Sequence, residues 1–250
     1  MTTAAFFDLD GTLIPGSANI PLAKAAFRDG FVSKTDLAKD LRNGLSFLLK
    51  GATDERSEQV RDRILRAVAG HPAADVEALG DHFIDGLVSS IKPAMRDVLD
   101  MHANMRHDRI VISASPTEIV ARLALAAGLE DGVGTTAARD AQGVYTGELD
   151  GPFCYKQGKV EILARMAAER GYDLAACYAY TDSASDLPML EAVGHPVAVN
   201  PEPELREIAT ERGWVIVETS SVPRVNLSSA HGLFSLGRNL FGAAGRRVLA

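Results

Sequence analysis

The stretch AAFFDLDGTLI, residues 4–14, decides how this chain is read. Its first four residues are an uninterrupted apolar run, the pattern of a short strand buried on both faces. Two carboxylates, Asp8 and Asp10, follow one residue apart. Gly11, Pro15 and Gly16 then break the chain into a loop. Residues i and i+2 of an extended segment project the same way, so the two acids are neighbours in space. Close carboxylates repel, which raises one pKa unless a cation intervenes. The pair therefore calls for Mg²⁺, for one carboxyl held protonated, or for both at different moments.

Working outward from this strand, residues 20–91 carry helical periodicity. Leu37, Leu41, Leu45 and Leu48 recur at spacings of four and three, as do Val60, Ile64, Leu65 and Val68. Beyond residue 92 the pattern alternates: PAMRDVLDMHAN as helix, RIVISAS as strand, PTEIVARLALAAG as helix. GTTAARDAQGVYTGEL reads as two short strands around a turn near Ala141 to Gly143. KQGKVEILARMAAERG, CYAYT, DLPMLEAVG, PVAVN, PELREIATERG and WVIVE continue the helix and strand alternation. Such alternation implies a parallel sheet with helices on both faces. The expected class is α/β, with a core formed by residues 1–15 and 92–221 and an inserted all-helical cap at 16–91.

The chain has 250 residues and a net charge of −7, which disfavours bulk nucleic-acid binding. Its charge is uneven. Residues 222–250 hold Arg224, Arg238, Arg246 and Arg247 and no acid, so this tail is +4 and the remainder −11. Leu233, Leu236, Leu240 and Phe241 fall near helical spacing within it. Three readings of the tail stay open: peripheral membrane contact, docking on the core, and disorder. Cys154 and Cys177 belong to no CxxC or Cys/His cluster, consistent with ordinary thiols in a reducing cytosol. The N-terminus lacks a basic segment before its apolar run, so we expect a cytoplasmic protein without a signal peptide.

A second acidic cluster lies in YAYTDSASDLPML, where Asp182 and Asp186 follow another buried strand. Ligands of open parallel sheets bind beyond the carboxyl ends of the strands. Oxygen ligands from separate strands converging there suit a hard cation such as Mg²⁺. Ser113 ends RIVIS, and Lys159 lies in the first turn of KQGKVEIL. A hydroxyl, a lysine and a helix N-terminus together hold a phosphate dianion. The set suggests phosphoryl transfer through a carboxylate nucleophile. GVGTTA, residues 132–137, fits a dinucleotide-binding pattern but does not join a strand to a helix, so it is set aside.

The order FFDLDGT, VISAS, Lys159 and YTDSASD resembles the haloacid dehalogenase (HAD) superfamily, and most closely its subfamily IB of phosphoserine phosphatase-like proteins. The resemblance spans residues 4 to about 218 and implies a Rossmann-like core with a C1 cap. It implies that Asp8 attacks phosphorus and that Asp10 protonates the leaving oxygen and then activates water. Mg²⁺ would be held by Asp8, by the Asp10 backbone carbonyl and by Asp182, with Asp186 completing or orienting the site. Thr12, Ser113 and Lys159 would bind or orient the phosphoryl group. Phe27, Phe31, Phe47 and Arg56 are candidates to line the substrate pocket. The implied activity is Mg²⁺-dependent hydrolysis of a small phosphate ester, with phosphoserine one candidate. A phosphotransferase or mutase sharing the intermediate, and a membrane-associated lipid-phosphate phosphatase, are the alternatives. Three positions depart from phosphoserine phosphatases: Ser17 replaces their substrate-binding glutamate, SAS their Ser-Gly-Gly, and Ser185 the asparagine before the last aspartate.

Overall fold

The computed structural model describes residues 2–31 and 54–219. The leucine-rich segment at 33–50, Phe47 and the basic tail therefore lie outside the described residues, as does the side chain of Arg56.

The first strand, β1 (Ala4–Phe7), lies at the centre of a six-stranded sheet. On one side it pairs in parallel with β2 (Asp108–Pro116), which pairs with β3 (Asp131–Thr135). On the other it pairs with β6 (Tyr178–Thr181), followed by β7 (His195–Val199) and β8 (Val215–Val217). All five pairings are parallel. The chain builds one half of the sheet outward from β1, then returns to its other side, creating a crevice where the strand order reverses.

Both faces of β1 are covered, which is why AAFF is uninterruptedly apolar. Ala4 and Phe6 join the apolar cluster of Ile162, Leu163 and Met166 on α7 (Gln157–Arg170). Ala5 and Phe7 join that of Val98 and Leu99 on α5 (Pro93–Asn104), and Phe7 stacks on Tyr180 with ring centroids 4.6 Å apart. Burying each phenylalanine is worth about 1.5–3 kcal/mol.

Between β1 and α5 the described chain forms α1 (Asn19–Arg28), α2 (Asp54–Val68), α3 (Ala73–Ala78) and α4 (Ile84–Ser89). Leu22, Val76, Leu79, Ile84 and Leu87 belong to the same apolar cluster as Phe7, so the core continues into this region without a break. A hairpin of β4 (Ala137–Arg139) and β5 (Tyr145–Leu149) stands apart from the sheet. Its turn is fixed by Asp140, whose Oδ1 accepts from the amides of Gln142 and Val144. The hairpin meets the helices through backbone bonds, Gly70 to Tyr145 and Tyr145 to His71.

The structure adds one strand to the sequence reading. Asp131–Thr135 forms β3 at the sheet edge, whereas its glycine-rich DGVGT carries little strand propensity. The GVGTTA motif therefore runs from this strand towards the hairpin, with no helix after it. The remaining helices are α6 (Thr117–Ala126), α8 (Leu187–Glu191) and α9 (Pro203–Glu211).

Candidate active site

Alternation along β1 aims the first acid. Asp8 has the parity of Ala4 and Phe6, so it points to the α7 face and meets Lys159 in the first turn of that helix. The Lys159 Nζ donates to Asp8 Oδ1 at 2.6 Å and to Asp186 Oδ2 at 2.7 Å. The Thr181 hydroxyl donates to the same Asp186 oxygen at 2.8 Å. Asp8, Lys159, Thr181 and Asp186 are all buried. Close packing sets the start of α7: a Cβ on Gly158 would lie 1.8 Å from the Phe153 carbonyl oxygen. Asp186 stands at the N-cap position of α8 but makes no side-chain cap bond.

The loop after β1 aims the second acid elsewhere. Backbone bonds from Gly11 to Gly16 and from Ile14 to Leu9 close the loop. Asp10 Oδ1 accepts from the Ala18 amide at 2.9 Å, and Oδ2 from the Ser17 hydroxyl at 2.6 Å. Ser17, which the sequence offered only as a missing glutamate, is thus a partner of Asp10. Thr12 is buried, and its hydroxyl donates to Asp182 Oδ1 and accepts from the Asp182 amide, both at 2.9 Å. Its side chain therefore fixes Asp182. Gly11 adopts φ +79°, and a Cβ there would sit 2.1 Å from Asp182 Oδ2. Only glycine lets that carboxylate approach the loop backbone.

Ser113 was expected at the end of a strand. β2 instead runs on to Pro116, with a register shift against β3 between Ile112 and Pro116. Ser113 is buried in this irregular stretch, and its Oγ accepts from the Ser115 amide at 3.2 Å. The strand order brings Ser113 on β2, Asp8 just past β1 and Asp182 just past β6 to the same end of three adjacent strands.

The site holds an excess of negative charge. Burial raises the Asp8 pKa, and Asp186 and Asp182 add to the effect against Lys159. Burial also lifts Asp182 to about 6, opposed by the Thr12 hydrogen bond. Asp10 is raised by burial against the Ala18 and Ser17 bonds. Burial works against the Lys159 charge, yet Asp186 and Asp8 outweigh it and raise its pKa. A second cation, Lys92, was not singled out from the sequence. It precedes Pro93 at the start of α5, and its Nζ donates to the Gly11 carbonyl. Burial lowers its pKa, while Asp182 and Asp8 oppose the shift.

This donor set fits Mg²⁺. Among the described residues no three His, Cys, Asp or Glu side chains form a closed cage. Mg²⁺ keeps several waters and typically takes one or two carboxylates plus substrate phosphate. Asp8 and Asp182 supply crowded oxygens whose raised pKa values a divalent cation would relieve. The Asp10 carboxylate is turned to Ser17 and Ala18, and one oxygen of Asp186 is taken by Lys159 and Thr181.

Residues 5–191 match the model of the haloacid dehalogenase-like hydrolases, three quarters of the chain, including Asp8, Asp10, Thr12, Ser113, Lys159, Asp182 and Asp186. The chain belongs to that family. A probable phosphatase of Mycobacterium tuberculosis is 37% identical over 219 residues, covering 87% of this HAD chain and 76% of the relative. The protein named phosphoserine phosphatase SerB1, from the same species, is 33% identical over 254 residues, covering 99% and 82%. Among solved structures, a Bordetella pertussis Tohama I protein of unknown function superposes with a TM-score of 0.75. It is 29% identical over 88% of this chain and 100% of that one. This HAD protein is a phosphatase-type hydrolase of α/β fold, and no helix among its described residues is long and apolar enough to cross a membrane.

Proposed function

We propose that this protein hydrolyses phosphate monoesters with Asp8 as nucleophile and Mg²⁺ as cofactor. The observation that carries the reading is the buried trio of Asp8, Lys159 and Asp186 with Asp182 beside it, at the carboxyl ends of adjacent strands. A structural ion pair would need one partner for Lys159. Here one lysine holds two acids while a third, Asp182, is braced by Thr12.

Lys159 and Ser113 bind the phosphoryl oxygens, and Lys159 fixes the Asp8 carboxylate between substrate and Asp186. An Asp8 oxygen attacks phosphorus and the ester P–O bond breaks. Asp10, raised by burial, gives its proton to the leaving oxygen. The aspartyl-phosphate is then attacked by water, whose proton returns to Asp10, and phosphate and free Asp8 result. Mg²⁺ held by Asp8, Asp182 and the Asp10 backbone carbonyl would neutralise charge on the phosphoryl oxygens. Asp186 acts on Lys159 and orients the site. Ser17 and Ala18 hold Asp10 in place between the two proton transfers.

The test is phosphate release from a panel of esters with and without Mg²⁺, with Asp8→Asn as control. The amide cannot form the intermediate, so release falls at least about a thousandfold with the fold retained. Comparable turnover in the variant would refute the mechanism.

A further inference from the structure

A cavity of about 880 Å³ is lined by α1, α2, α3 and the start of α6. At one end it is lined by Asn19 and Ala114, the chain neighbours of Ala18, whose amide holds Asp10, and of Ser113. Ser115 ties the two walls together, its hydroxyl donating to Asn19 Oδ1 at 3.4 Å. Away from the carboxylates the walls are apolar, among them Leu22, Ile64, Val68, Leu79 and Ile119. Drug-sized ligands occupy sites of about 300–1,000 Å³, so the space is large for a phosphorylated amino acid.

The charges around it point the same way. Among the described lining residues the single acid is Glu118. Its Oε1 already accepts from the Tyr145 hydroxyl at 2.6 Å and from Arg139 at 2.9 Å, and it is buried. Ser17, standing where a substrate-binding glutamate would be expected, is turned to Asp10. No described carboxylate in the cavity is left for an ammonium group, and a cation buried without a counter-charge is costly.

We infer that the substrate is the phosphate monoester of a bulky, largely apolar alcohol without an ammonium group, seated with its organic part in this cavity. The inference rests on the hydrolase reading above. It removes phosphoserine from the leading place among substrates.

The experiment measures kcat/KM with Mg²⁺ for propyl, hexyl and octyl phosphate, the ω-amino derivative of octyl phosphate, and phosphoserine. We expect kcat/KM to rise on the order of threefold per methylene, and the terminal amine to cost at least about tenfold. Ala67→Phe, which fills the cavity from α2, should lower kcat/KM for octyl phosphate about tenfold and leave propyl phosphate within about twofold. Ala26→Leu, on α1, is the second variant and should act likewise. A flat or falling series, equal use of the amino ester, or a preference for phosphoserine overturns the inference and leaves the hydrolase reading standing. Release from none of these esters overturns both.

Discussion

Without the Lys159 ammonium, Asp8 and Asp186 would face each other buried and unpaired. Breaking a buried ion pair by removing one partner costs about 3–5 kcal/mol, and here one cation serves two acids. Lys159→Met is therefore expected to lower unfolding free energy by about that amount in urea titrations, besides removing activity. Stability unchanged from wild type would mean that the carboxylates are held protonated. Ser17 offers a finer probe. Its hydroxyl donates to Asp10 and favours the anion, so Ser17→Ala should raise the Asp10 pKa further. The first step needs Asp10 protonated, so the basic limb of the kcat/KM profile should move to higher pH. A limb that stays in place would show that another group supplies the proton.

At the level of elements, the loop from Asp8 to Ala18 connects the sheet to its chemistry. It turns at Gly11 with φ +79° and passes so close to Asp182 that a side chain would collide with the carboxylate. Gly11→Ala should raise the Mg²⁺ concentration for half-maximal activity at least about tenfold, because Asp182 must move. A global melting temperature within a few degrees of wild type would accompany that loss, since the substitution leaves the loop's core side chains Leu9, Leu13 and Ile14 in place. An unaltered Mg²⁺ requirement would show that Asp182 is not a ligand. The same loop places Thr12 against Asp182, where its hydroxyl both donates and accepts.

For the molecule as a whole, pH stability is expected to depend on a group that takes no part in the proposed chemistry. His102 is fully buried on α5, with Nε2 2.7 Å from the Tyr180 hydroxyl and Nδ1 2.9 Å from His107 Nδ1. Burial, then His107 and Arg109, push its pKa down to about 3 from 6.5. The unfolded chain thus binds a proton that the folded chain refuses between those values. The stabilisation is complete above pH 6.5 and is lost as the pH falls towards 3. His107 and His195 are lowered too, chiefly by burial, and act in the same direction. Urea midpoints at pH 7.5 and 5 should fall more for wild type than for His102→Gln, and equal falls would exclude His102 as the source.

The sequence by itself determined the α/β class, the central strand and the acids Asp8, Asp10, Asp182 and Asp186. Strand alternation, apolar burial and the crowding of carboxylates are local, and local order is written in spacing. It left β3 hidden, because a glycine-rich edge strand is recognised by the neighbour it pairs with. It could not assign partners. That Ser17 holds Asp10, that Thr12 braces Asp182, that Lys92 reaches Gly11 and that Glu118 is spent on Tyr145 and Arg139 all depend on side chains meeting across the fold. The cavity belongs to the same class. Its walls come from helices and strands more than a hundred residues apart, so only tertiary packing set its size and left its described lining without a carboxylate for an ammonium group.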